Sequence, residues 1–412
     1  MKEIDTDFRQ DIALPWITFS LFWFILIICL GISMRLSYAF NIVLPTPIDF
    51  TRHAHSHTAF WAWAGPAFFG FILAFLIENT KRSKVFETIL FWLIQINSLL
   101  ALLSFILSGY SKLSIVFSSG MVFIWLSFSF YSIYAGKKLN KNLLLFALIR
   151  LSILMLTVST LPTFLIPVSV ATGFGTEMLR TISIHFFLDC YSEGWLYIMS
   201  FALFIFLIEK NEKTKVSNAG KMLLLSSIPL LILVSLRSNV FLFSNPIQWI
   251  ILCASFLWGI LQIIAIAPFI RRNLHYSFYC VIIFVLIKAI LDMLIGIPVF
   301  TKFVQSKMFA VLYLHLKLLG IMSIILSLFI AKVYSPESKK FHYSKNSILL
   351  GVCFSLIALS FIALASIATF SINEIFDLNA FWFYGQILAF SAALLILLGV
   401  IILFVSCFYF SN

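Results

Sequence analysis

Apolar residues run along this chain in long blocks, and polar residues gather in short stretches between them. Most blocks show neither the two-residue alternation of a half-buried strand nor the narrow apolar stripe of a soluble helix. A run of about 20 mainly apolar residues is the length that crosses the hydrocarbon core of a bilayer as a helix. Twelve segments meet it, approximately 14–35, 55–77, 86–108, 114–135, 142–168, 182–208, 222–242, 246–270, 275–300, 306–332, 346–370 and 379–408. The seventh is the weakest, because Arg237 and Asn239 interrupt its second half. The longest connection, around 209–221, is charged and short. The pattern therefore predicts an all-α polytopic membrane protein, a single transmembrane domain over residues 1–412.

Composition supports the same class. Of 412 residues, 62% are hydrophobic and 11% charged, with a mean hydropathy of +1.07. A soluble domain carries about 25% charged residues, so too few are present to cover a water-facing surface. Disorder and collagen-like structure are excluded by the same figures. The six cysteines lie in apolar stretches without a CxxC pair and read as buried small hydrophobes, not as a disulfide framework or a zinc site. The acidic, polar start of the chain is not that of a signal peptide.

The net charge of +12 is read as topology before it is read as affinity for nucleic acid, because cytoplasmic loops collect Lys and Arg. With the N-terminus inside, sixteen Lys and Arg fall in inner connections, in groups around 81–84, 137–141, 210–221, 271–272 and 332–345. Seven fall in outer connections or at their edges: Arg35, Arg52, Lys112, Arg180, Arg237, Lys302 and Lys307. Both termini are expected in the cytoplasm of a cell membrane, with the lipid bilayer as partner and no nucleic acid. The chain has no internal repeat, which weakens a transporter reading.

Candidate chemistry lies in polar residues inside the spans. His342 and His275 sit near inner ends and read as interfacial. His53, His55 and His57 open the second span; on a helix His53 and His57 share a face, and His55 points the other way. The i, i+4 pair has the spacing that holds zinc or copper, and His55 alone has the chemistry to ligate a heme iron. His315 lies inside the tenth span, where an imidazole is costly unless bonded or ligated. His185, Asp189 and Glu193 recur every four residues on the sixth span, a polar stripe expected to face the interior as a proton path, a metal site or a structural hydrogen-bond network. Lys288 and Asp292, four apart on the ninth span, can pair. Arg150 is placed to snorkel; Arg35, Arg52 and Arg180 suit lipid headgroups or the acid groups of a cofactor.

Three of these helices resemble the catalytic subunit of the heme-copper oxidase superfamily, in its nitric-oxide-reductase and C-type-oxidase branches. Arg52 followed by His55-Ser56-His57 resembles that family's second-helix motif, with His57 where an Asn stands. His315-Leu316 with Gly320 resembles the second His and tail of its tenth-helix motif. The resemblance implies twelve helices and a low-spin heme b held by His55 and His315, with Arg52 beside it. It also marks losses: Tyr313 stands where a high-spin heme ligand is expected, Asp189 where the sixth helix carries a His, and the seventh span has no His. Tyr313, Lys317, Asp189 and Glu193 are then left as candidates for a proton-active or small-ligand pocket.

Three functions follow as expectations. The first is an oxidase-like membrane hemoprotein in electron transfer or redox or gas handling, not an O2-reducing oxidase. With no CxxCH motif present, its electrons come from quinol or a separate cytochrome. The second is a proton-coupled secondary transporter using His185, Asp189, Glu193, Lys288 and Asp292. The third is a heme- or metal-delivery protein with copper or zinc at His53 and His57. The sequence does not set the oligomeric state.

Overall fold

The computed structural model describes residues 10–75, 81–136, 143–165, 177–212, 228–272, 274–297, 300, 307–334, 346, 348–357, 359–360 and 378–410. Ten helices in it are long and apolar enough to cross a membrane: α1 (Asp11–Phe40), α2 (Ile48–Phe75), α3 (Lys84–Ser108), α4 (Lys112–Ala135), α5 (Leu144–Phe164), α6 (Glu177–Ile208), α8 (Asn245–Ile270), α9 (Tyr276–Ile295), α10 (Met308–Ala331) and α12 (Trp382–Cys407). Each overlaps one expected span. The seventh and eleventh spans are not among them. In the seventh, α7 (Ile228–Val234) stops early and gives way to a 3-10 turn, Arg237–Leu242, kinked at Asn239 (φ −119°, ψ 22°). In the eleventh, α11 covers Ile348–Ile357. Residues 222–227 and 361–370 of those spans, His342 and several loop lysines lie outside the described residues.

Local signals set the helix ends. Ser83 accepts from the Phe86 amide at the start of α3, and Ser111 and Ser114 form a reciprocal capping box at the start of α4. Gly109, between them, has φ +57°, and a Cβ there would lie 2.4 Å from the Phe50 ring.

The surface explains the composition. Trp92, Ile96, Leu99, Leu103 and Leu107 make an exposed apolar row along α3, and Ile283, Ile287 and Ile290 make one along α9. Rows at three- and four-residue spacing on the outside of a bundle are stable facing lipid and a liability facing water. Two of the helices that carry candidate chemistry behave differently: the apolar windows of α2 and α6 are wholly enclosed.

The chain forms two compact units, residues 1–138 with 326–412, and residues 139–325. In unit 1, α1 packs on α2 and α12, α2 on α3, and α3 on α4. Trp63 of α2 stacks on Phe24 of α1 (centroids 3.9 Å), and Phe69 of α2 on Phe128 of α4 (3.6 Å). In unit 2, α5 packs on α6, and α7 and α9 on α8. The α8–α9 crossing is tight at Gly259, where a Cβ would lie 2.4 Å from the Ala289 carbonyl oxygen and 2.5 Å from Met293 Cγ. Gly259→Ala must push the two helices apart, so it is expected to lower stability by about 1–3 kcal/mol. Thermal unfolding of the purified protein in detergent reads this directly; an unchanged melting point contradicts the close crossing.

Candidate functional site

Unit 2 carries charge in its interior. Arg237, Lys288, Lys317, Glu193 and Asp292 are each no more than 3% exposed. Arg237 Nη1 donates to Asp292 Oδ1 at 2.6 Å; Nη2 donates to Glu193 Oε1 at 2.9 Å and to the Tyr313 hydroxyl at 2.8 Å. Lys288 Nζ donates to Asp292 Oδ2 at 2.7 Å and Gln262 Oε1 at 3.0 Å, and lies 2.7 Å from Glu193 Oε2. Lys317 Nζ donates to Ser192 Oγ at 2.6 Å and Glu193 Oε1 at 3.0 Å. Gln262 Nε2 and Trp258 Nε1 add donors to Asp292 Oδ2 (2.7 Å) and Glu193 Oε2 (3.3 Å). Two ammonium groups also sit over rings, Lys288 above Tyr197 (4.3 Å) and Lys317 above Tyr313 (4.4 Å).

The backbone is shaped to bring these groups together. Glu193 lies in a π-helical stretch, Cys190–Tyr197, within α6. Its neighbour Gly194 meets α5, where a Cβ would lie 2.6 Å from Met155 Cβ, so only glycine lets α6 approach there. Arg237 reaches inward from the 3-10 turn that ends the broken seventh span. Its placement corrects the sequence reading, which counts it among outer-edge charges. The reason is electrostatic: a guanidinium beside two buried carboxylates is better solvated than one alone in an apolar segment.

The expected Lys288–Asp292 pair is present, as part of a larger network. Of the expected stripe, Glu193 joins the cluster, and Asp189 accepts from Ser238 Oγ at 2.5 Å, one residue from Arg237. His185 is partly buried and is not among the cluster's members. Tyr313 and Lys317, candidates for a pocket, are themselves cluster members. The Tyr313 hydroxyl lies 2.7 Å from Glu193 Oε1 and 2.5 Å from Asp292 Oδ1. A phenol has one proton to give and faces two carboxylate oxygens, so its single O–H is shared between them.

The histidines of α2 divide as expected. His57 stacks on Phe105 of α3 (centroids 4.3 Å, 10° between planes), and its Nε2 lies 2.7 Å from the Tyr110 hydroxyl. His53 packs on the same Tyr110 ring, with its centroid 6.5 Å from that of His57. His55 faces α1 instead. Its Nδ1 lies 2.9 Å from the Ile27 carbonyl oxygen, and its Cε1 would be 3.4 Å from a Cβ at Gly31. On α10, His315 Nδ1 lies 2.7 Å from the Val311 carbonyl oxygen. Arg52 and Arg180 are exposed and pair with Asp49 (3.1 Å) and Glu177 (3.5 Å), and Arg150 lies over the Phe146 ring at 4.4 Å. Among the described residues no group of three or more His, Cys, Asp or Glu converges as a metal site.

Residues missed by sequence reading are Arg237, Gln262, Tyr197 and Trp258. The first had a signal: an arginine that breaks an otherwise adequate span needs a carboxylate. The uncharged three sit in apolar helices without a distinguishing pattern. Removing one carboxylate leaves three cations facing one anion, so Glu193→Gln is expected to destabilise the protein by about 3–5 kcal/mol, against less than ~0.5 kcal/mol for exposed Arg180→Ala. Melting curves of both variants decide it, and equal curves would remove the cluster's structural role. Compared with known proteins, the chain matches no family model and no curated protein.

Proposed function

We propose that the chain is a membrane hemoprotein of the heme-copper-oxidase type, with twelve spans, both termini cytoplasmic, and one low-spin heme b whose axial ligands are His55 and His315. The observation that carries this reading is the position of the π-helical segments. Among the described residues there are three, Ala59–Ala64, Cys190–Tyr197 and Leu316–Ser323, and they fall on α2, α6 and α10. Those are the three helices whose motifs resemble that family. π-Helical turns are rare and are retained mostly where a functional group must be re-aimed.

The donor chemistry fits the group. Nδ1 of His55 and Nδ1 of His315 each lie against a backbone carbonyl, the contact that fixes tautomer and ring orientation in iron-ligating histidines. Such a heme supplies one-electron transfer, with quinol or a separate cytochrome as donor. The protein's own residues do the remaining work: Ile27 and Gly31 seat the His55 ring, and Val311 orients His315. Reduction of O2 is not proposed, because Tyr313 is committed to Arg237, Glu193 and Asp292, and Asp189 to Ser238.

A second reading, proton-coupled transport, is favoured by the buried carboxylates Glu193 and Asp292 with Lys288 and Asp189. One preparation separates the readings. Purified from heme-replete cells, the protein is expected to show sharp bands in a reduced-minus-oxidised spectrum that vanish in His55→Ala and in His315→Ala. A colourless wild type ends the heme reading. Proton-driven uptake in liposomes that Asp292→Asn abolishes would put transport in its place. Copper or zinc lost on His53→Ala and His57→Ala would point to metal delivery.

A further inference from the structure

Unit 1 contains a partly buried cation, Arg35, that no described carboxylate neutralises. Arg35 lies on α1 one helical turn beyond Gly31 and two beyond Ile27. Ile27 and Gly31 are the positions that meet the His55 ring, so 27, 31 and 35 run along one face at a rise of ~6 Å per step. Arg35 Nη1 donates to Gln386 Oε1 on α12 at 2.7 Å. Among the described residues no carboxylate pairs with Arg35, whereas Arg52 and Arg180 have Asp49 and Glu177.

Gln386 makes the same point independently. Its side chain is completely buried, its oxygen is taken by Arg35, and its Nε2 has no hydrogen-bond partner. A buried amide N–H without an acceptor costs about 1–3 kcal/mol, and an uncompensated guanidinium at membrane depth costs more. Two adjacent side chains thus present several N–H donors and no acceptor. The complement of a guanidinium fork beside an amide is a planar anion with two oxygens, a carboxylate.

We propose that Arg35 and Gln386 form a carboxylate cradle for the ligand that His55 holds; the inference rests on the heme reading, under which the carboxylate is a heme propionate. Its position follows from the shared face of α1: the ring nitrogen and the guanidinium address two ends of one ligand. Arg52, the arginine that the motif puts beside the heme, is spent on Asp49 at an exposed site. An anionic lipid headgroup offers similar oxygens, and the test distinguishes the two.

The test is an optical redox titration of the full-length, heme-loaded protein. Arg35→Gln is expected to keep the reduced-state bands, because the axial ligands are untouched. Its midpoint potential is expected to fall, because losing a positive charge beside the heme favours the ferric form. Arg35→Lys should restore most of the potential. Gln386→Leu keeps the charge and removes the amide, so it should move the potential less and speed heme loss to excess apomyoglobin. It remains informative if Arg35→Gln does not fold. Intact bands with wild-type potential in Arg35→Gln, or wild-type heme retention in Gln386→Leu, would overturn the cradle while leaving the heme reading in place. Loss of a co-purifying phospholipid from Arg35→Gln in native mass spectrometry, at unchanged potential, would assign the pair to lipid and overturn it as well. A wild type that binds no heme removes the reading beneath it.

Discussion

Charges placed in hydrocarbon have no water to solvate them, and in unit 2 the solvation comes from other side chains. Glu193 comes from α6, Arg237 from the turn after α7, Gln262 and Trp258 from α8, Lys288 and Asp292 from α9, and Tyr313 and Lys317 from α10. Five elements are tied to one another through that cluster. Apolar packing alone tolerates sliding and rotation, since one leucine face fits another in several registers. Hydrogen bonds of 2.6–3.0 Å between ionised groups do not, so the cluster selects a single register for unit 2.

Unit 1 is organised on a different chemistry. Aromatic stacking joins α1, α2 and α4, and the polar positions include imidazoles, an arginine, amides and buried Ser and Thr hydroxyls. Two of its ion pairs, Arg52 with Asp49 and Arg82 with Glu87, lie at helix starts. Glu87 is nonetheless buried; Arg82 Nε donates to both of its carboxylate oxygens, at 2.7 and 3.0 Å, and the Tyr131 hydroxyl donates to it at 2.6 Å. Away from the helix starts, the described polar side chains of unit 1 are not acidic.

Helix existence was legible because the bilayer demands length and apolarity, two properties that a sequence displays openly. The split of α2, with His55 opposite His53 and His57, was legible because three residues in five have a fixed angular relation on a helix. The Lys288–Asp292 contact was legible for the same reason. Arg237 was not, because its partners Glu193, Asp292 and Tyr313 lie 44, 55 and 76 residues away in the chain. No local spacing encodes such a meeting. Nor do the π-helical stretches leave a mark: AFWAWA and LKLLGIMS read as ordinary apolar helix. The seventh span did announce its weakness, and its failure as a long helix is where that weakness led.

The π-helical stretches carry a consequence for how this sequence can change. A π turn holds one residue more than the α-helical turn it replaces, and each residue of an α-helix advances about 100° around the axis. Deleting a single residue from Cys190–Tyr197 would let α6 close into continuous α-helix; the segments on either side would keep their orientation, because the π turn is what absorbs the extra residue, while Glu193 inside the stretch would turn about the axis. The helix would still be apolar and long enough to cross a bilayer. Within the stretch it would present a different side to Arg237, so point substitutions and one-residue deletions there should have very different tolerances.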